Sequence, residues 1–423
     1  MDVKVGMKIP PQLCMVCRGG KLLCGLTFCP IEVANTLKPR VTSVTGNEVY
    51  GSSPPSVFVG RHSYPKVRVY PSAPPVVGDT MLYEDSGRWL SMDMEEFLSM
   101  RLSLLRGGMQ VRDVSVANPD YTMQEIQVMA ISSRPVEIDM RVSKPFSERS
   151  VRLSEDTPPM GPSAPLQKIA ISESKADQRV EKAFYDTDLL ASEAMSSLYR
   201  SGVTVSQLTR ALSVGALGTG RRRRLVPTRW AITAVDSTLS DALVRRIKGY
   251  SELGEFLVFR RETPGNLFVG ILAPSTWRYE WGEAWFPGST WNLWGTNPEV
   301  MIDYEDYRGR DTYPDIGGCY YAARLAVAEY LDAVRRQAAP ILWREIYPSF
   351  NLPVGVWYVR ENLREMFRSK PERFSSLAEA LRHASIGMRV PLEKWVSRSH
   401  VVKALRSVTL DHFMGDMHDG DRG

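Results

Sequence analysis

No stretch of this 423-residue chain approaches the roughly 18–20 consecutive apolar residues that a membrane-spanning helix requires. The opening run MDVKVGMKIPPQLC has neither the apolar core nor the small-residue cleavage site of a signal peptide, so the expected location is the cytoplasm. Charge of one sign is also lacking: 53 basic against 48 acidic residues leave a net +5, too slight to mark a nucleic-acid binder by totals alone. Histidine is scarce, and His62 is the only one before His383. Five cysteines make a poor disulfide framework, and four of them crowd into sixteen residues. Outside the secretory pathway such crowding favours a metal. Helical and strand-like segments alternate without regular βαβ spacing or an internal repeat, which predicts an α+β fold rather than a doubly wound sheet.

The organisation expected is a zinc-knuckle module over 1–50, a β-rich domain with turn-rich loops over 51–165, an α+β domain over 166–400, and a peptide tail over 401–423. Short strands are predicted at Ser56–Val59 and Lys66–Tyr70, and a helix over Met94–Leu105. β-like runs follow at Gln124–Ile131 and at Pro135–Val142, where Val136, Ile138, Met140 and Val142 alternate. A proline-rich link covers 144–167, and helical spacing runs from Lys175 to Arg200. Thr204 with Gln207 reads as a capping box that opens a helix burying Val205, Leu208 and Leu212. Strands are expected at Trp230–Val235, Phe256–Phe259 and Leu267–Leu272. A helix from Tyr320 to about Ala338 places Ala323, Val327, Leu331 and Val334 on one stripe, and Ser376 with Glu379 opens another.

Cys14, Cys17, Cys24 and Cys29 follow the spacing C-x2-C-x6-C-x4-C. A C-x2-C pair lets two thiolates chelate one ion from a tight turn, with Gly19 and Gly20 just beyond it, and Gly25 stands between the second pair. Four sulfurs with no water position make a closed, structural zinc site. An iron–sulfur cluster takes the same ligands and is the rival within the metal class. Lys8, Arg18 and Lys21 nearby suit either a phosphate-facing knuckle or solvated surface.

Arg221, Arg222, Arg223 and Arg224 are consecutive and follow Gly215, Gly218 and Gly220. Four in a row cannot share one face of a helix or strand, so the run belongs in a loop or at an element end, where guanidinium forks reach phosphates. No Gly-Lys-Ser/Thr follows, so this is not a P-loop; a solvated charge run is the bland alternative. Between the first two strands, Arg61, His62, Ser63, Tyr64 and Lys66 collect groups able to bind a phosphate or nucleotide, with His62 the candidate acid–base residue. Ser52, Ser53 and Ser56 offer further hydroxyls. Five tryptophans between Trp277 and Trp294 read as a rigid aromatic core rather than a base-stacking surface. The acidic stretch of Asp303, Glu305, Asp306, Asp311 and Asp315 lacks fixed cation-loop spacing and reads as a solvated loop.

Near the end, Ser407, Leu410, Phe413 and Met414 resemble a sliding-clamp box, in which a polar residue precedes an aliphatic at +3 and aromatics at +6 and +7. Serine stands where glutamine is usual, and Met414 where a second aromatic is usual. Together with CMVCRGGKLLCGLTFCPI, SSPPSVFVGRHSYPKV, GRRRRLVPTRWAITAVD, GGCYYAARLAVAEYL and PVGVWYVRENLRE, this tail resembles the archaeal NreA family of DNA repair proteins over nearly the whole chain. The resemblance implies a role in repair of DNA damage and a tail that binds the archaeal PCNA clamp.

The leading expectation is a zinc-containing repair factor that engages DNA and is tethered to the clamp. The alternatives are a phosphate- or nucleotide-processing enzyme of repair, with a nucleotide held by Arg61, His62, Lys66 and the arginine run, and an RNA-binding zinc protein.

Overall fold

The alternation of Val136, Ile138, Met140 and Val142 buries one side of strand β5 (Val136–Val142) and exposes Glu137, Asp139 and Arg141 on the other. That pattern defines a strand of a one-faced sheet. In the computed structural model, which describes residues 10–19, 21, 23, 24, 29, 46–62, 64–111, 113–146, 151 and 153–407, β5 sits between β1 (Glu48–Ser53) and β6 (Ser163–Ile171). The sheet continues through β4 (Leu105–Val111) and β3 (Val67–Ala73) to β2 (Ser56–Val59). Only β4 and β6 run parallel, as the long excursion between them requires. Gly161, just before β6, lies against the preceding helix end; a Cβ there would stand 2.2 Å from the Leu104 carbonyl oxygen.

The chain divides into two units, one comprising Pro30–Leu239 with Pro353–Glu361 and the other Met1–Cys29, Ser240–Leu352 and Asn362–Gly423. The first contains the sheet just described. The second contains a sheet ordered β10 (Glu299–Glu305), β9 (Tyr279–Trp285), β11 (Ala339–Ile346), β8 (Asn266–Ala273), β7 (Phe256–Thr263) and β12 (Glu372–Phe374). Every position of β8, β9 and β11 is buried, so these strands read as continuous apolar runs carrying a few paired charges. Trp277, Trp281, Trp285 and Trp291 are buried, and only Trp294 of that group is exposed, in agreement with an aromatic core. The mixture of helices and two mixed sheets is α+β, as the irregular spacing predicted. No helix among the described residues is long and apolar enough to cross a membrane.

Two predicted strands are helices. Gln124–Ile131 falls in the helix Tyr121–Ala130, where the Asp120 carboxylate accepts from the Met123 amide and Met123, Ile126 and Met129 bury a single stripe. Trp230–Val235 lies in the helix Thr228–Ile247, with Ala231, Val235 and Leu239 buried at four-residue intervals. In both places short apolar runs carry either period, and burial of the helical stripe decides between them. The helical stretch from Lys175 to Arg200 is two helices, Gln178–Tyr185 and Ala191–Arg200. They part where the Asp186 carboxylate accepts from the Asp188 and Leu189 amides. The capping box at Thr204 and Gln207 is present, at the start of the helix Val205–Ser213. The helix Gly318–Val334 ends earlier than expected, at Arg335 in the left-handed conformation, and Val334 is exposed.

Candidate functional site

Cys14 and Cys17 stand one turn apart on the short helix Pro11–Cys17, not in a tight turn. The i, i+3 spacing still sets them on one face, and the chain reverses just beyond, with Arg18 and Gly19 both at positive φ. None of the five cysteines is joined in a disulfide. Burial, then the neighbouring Cys29, Cys17 and Cys24, push the Cys14 thiol up to about 11. The other three sulfurs are thus close enough to act on Cys14, although among the described residues no three His, Cys, Asp or Glu groups stand in metal-holding geometry. Four thiols gathered in this way are suited in chemistry to a cation that replaces their protons. Arg18 does not face a phosphate. Its guanidinium is buried, donates to Glu283 Oε2 at 2.5 Å and stands over the Trp285 ring.

In the other unit, the loop after β2 and the segment after the arginine run come together. The Val59 amide donates to Thr228 Oγ1 at 2.8 Å. Beyond that tie, the Tyr64 ring packs 5.0 Å from the Trp230 ring at an angle of 59°. Both residues are exposed, at 43% and 44%, where aromatic surface of this size is normally hidden. His62 and Lys66 are exposed beside them and Arg61 is half-buried.

The arginine run is divided in its roles. Gly220–Arg222 forms a single 3-10 turn, and Arg221, Arg222 and Arg224 are exposed. Arg223 turns inward: it donates to the carbonyls of Gly218 at 2.8 Å, Phe184 at 2.6 Å and Asp186 at 2.7 Å. Burial pulls its pKa below the ordinary arginine value, with Asp186 opposing. The serines upstream are knitted into the sheet. Ser53 Oγ donates to the Ser72 carbonyl, Ser52 Oγ accepts from the Gly78 amide, and Ser56 Oγ donates to Glu84.

Residues 23–292 match the family described as Archaeal Nre, N-terminal, and residues 305–413 the one described as Archaeal Nre, C-terminal. The chain belongs to the archaeal Nre family. It is 45% identical to the DNA repair protein NreB of Archaeoglobus fulgidus, over 95% of this chain and 100% of that protein. The DNA repair protein NreA of the same organism is 38% identical, over 90% of this chain and 95% of its own. The DNA repair protein NreA of Haloferax volcanii is 33% identical, over 87% and 90%. No solved structure matches. Within this Nre chain the family match takes in Cys24 and Cys29, while Cys14 and Cys17 lie ahead of it. At the other end, Ser407 closes the helix over 400–407, and Leu410, Phe413 and Met414 lie outside the described residues.

Trp230 is the residue that sequence reasoning placed wrongly. As part of a strand it had no reason to be singled out; at the start of a helix it projects beside Tyr64. The acidic stretch is corrected as well. Asp303 and Glu305 are buried: Asp303 accepts from Arg310 and the Ile316 amide, and Glu305 from Trp277, Tyr320 and Arg324. Those carboxylates anchor the second unit's core, and only Asp306, Asp311 and Asp315 are solvated.

Proposed function

We propose that this chain is a DNA repair factor that grips a nucleic-acid strand with the Tyr64–Trp230 face. Three supporting elements complete the reading: zinc bound by Cys14, Cys17, Cys24 and Cys29; a tail from Ser407 through Leu410, Phe413 and Met414 that engages the PCNA clamp; and phosphate contacts from Arg221, Arg222, Arg224 and Lys66. The relatives named DNA repair proteins support the repair role. The observation that carries the nucleic-acid reading is the exposed Tyr64–Trp230 ring pair, with Trp230 shortly after the exposed Arg221, Arg222 and Arg224 in the chain. Stacking on such rings contributes about 1–3 kcal/mol per base and tolerates any sequence, while guanidinium forks hold the backbone. Zinc, when bound, supplies no chemistry in this reading; it orders the amino-terminal segment. A clamp-binding tail raises the local concentration of the body at DNA without tight binding by either part.

Fluorescence anisotropy with labelled single-stranded DNA tests the face. Tyr64→Ala and Trp230→Ala are each expected to weaken binding by about fivefold to a hundredfold, with circular dichroism unchanged because both rings are exposed. A double variant that binds as tightly as the parent would remove this face from the interface. Tighter binding of structured RNA than of DNA would move the reading to RNA.

A further inference from the structure

The unit that carries the aromatic face also encloses a cavity of about 80 Å³, walled by β2, by the helices Met94–Leu102 and Val205–Ser213, and by the segment around Asp156 to Met160. Four arginines line it, Arg101, Arg106, Arg210 and Arg360, against two carboxylates, Glu84 and Asp156. Three of the four are engaged by the protein. Arg101 donates to Glu84 Oε1 at 2.9 Å and to the Tyr83 and Pro159 carbonyls. Arg360 Nη1 meets both oxygens of Asp236 at 2.9 and 2.8 Å. Arg106 donates to the Gly161 carbonyl at 2.8 Å and lies over the Tyr70 ring.

Arg210 differs. It is 5% exposed, its Nε reaches the Ala130 carbonyl at 3.3 Å, and its nearest carboxylate oxygen, on Glu84, stands 3.8 Å from Nη1. Its Nη2 has no hydrogen-bond partner among the described residues, and neither does the hydroxyl of Thr157, itself 3% exposed on the same cavity wall. Native interiors rarely leave such groups unmet, and a buried guanidinium least of all. Asp156, the other acid of the wall, has Oδ2 2.6 Å from Arg229 Nε as an ion pair, without a hydrogen bond to that oxygen among the described residues. Water fits a cavity of this size, yet water brings no negative charge to a guanidinium whose protein counter-charge is shared with Arg101.

We propose that this cavity binds a phosphate monoester, with Arg210 and Thr157 as its principal donors. A guanidinium fork matches two oxygens of a tetrahedral oxyanion, and Ser206 and Thr209 line the same wall. Trp89 and Trp357 supply an apolar side suited to the carbon part of an ester. The ester is borne either by a mononucleotide or by the 5′ end of a DNA strand, which share this chemistry. The site is independent of the strand-binding face and does not rest on that reading.

The test uses the full chain with inorganic phosphate, a deoxynucleoside 5′-monophosphate, and one oligonucleotide with and without its 5′-phosphate. Phosphate is expected to raise the melting temperature above that in chloride of equal ionic strength. Arg210→Gln and Thr157→Val are each expected to weaken binding about tenfold by calorimetry. Preference for the mononucleotide, or for the phosphorylated strand over its twin, identifies the source. Thr157→Val removes only a hydroxyl and decides the matter if Arg210→Gln folds poorly. No phosphate stabilisation over chloride, or parental affinity in Thr157→Val, overturns the proposal.

Discussion

Arg18 Nη2 donates to Glu283 Oε2 at 2.5 Å, with the two side chains 4% and 0% exposed. Burial alone would raise the Glu283 pKa, but Arg18 and Arg344 outweigh it and hold the carboxylate below its ordinary value. A basic residue directly after a C-x2-C pair is therefore a core ion pair of the second unit. Arg18→Met is expected to destabilise the chain by about 3–5 kcal/mol, toward the lower end because Arg344 stays at 3.4 Å from the other oxygen. Denaturant unfolding measures the loss. An unchanged midpoint together with a weaker salt dependence of DNA binding would return Arg18 to the surface.

The arginine run separates into two classes of variant. Replacing Arg221, Arg222 and Arg224 with alanine is expected to leave the fold intact and to flatten the salt dependence of DNA affinity, by about 0.7–0.9 in slope for each phosphate contact removed. Arg223→Ala strips four carbonyls, those of Gly218, Phe184, Ala183 and Asp186, of their donor and is expected to lower stability by about 1–3 kcal/mol. Thermal melts and salt titrations of both variants distinguish them. The same response from both would show that burial does not set their roles.

Metal analysis of the purified chain is expected to return one zinc per molecule, and chelation should lower the melting temperature. Cys14→Ser should lose the metal, since one missing thiolate opens a closed shell. Stoichiometric iron would identify a cluster instead. Four thiols alkylated at full rate in the native state, with neither metal present, would sink the assignment.

The tail makes a separable prediction. Leu410→Ala combined with Phe413→Ala is expected to abolish binding to the PCNA clamp without shifting the melting temperature, as a short apolar plug carries nearly all of such a contact. Calorimetric titration against the clamp reads this directly, and unchanged affinity would show that clamp binding does not run through this tail.

Asp177 caps the helix Gln178–Tyr185, and its ion pair with Arg179 holds it down to about 2. A carboxylate lowered in the folded chain contributes stability above its ordinary value of 3.8 and loses it as pH falls toward 2. Asp177→Asn keeps an N-cap acceptor but not the charge. The parent is expected to be more stable than this variant at pH 6 by no more than about 1 kcal/mol, since the pair is part-exposed. The gap should narrow below about pH 4 and close near pH 2; a gap that widens on acidification would show that the charge at Asp177 does not stabilise the fold.

What the sequence by itself determined lies at short range. Period-two alternation marked β5, the Thr204–Gln207 pairing marked a helix start, and clustering set four cysteines apart from the fifth. Each is a property of neighbours within a few positions, which local sterics and hydrogen bonding read directly. The family resemblance was legible in the same way, through contiguous segments. Tertiary structure alone decided the period of the runs at 124–131 and 230–235, because both patterns bury some apolar side chain and only packing chooses between them. It also decided which charges face water. Arg18, Arg223, Asp303 and Glu305 look like solvated residues in the chain, but partners far away in sequence, or carbonyls of a distant turn, hold them inside. The arginine cavity belongs to this second class, since Thr157 and Arg210 carry no motif and acquire meaning only where separate segments close around them.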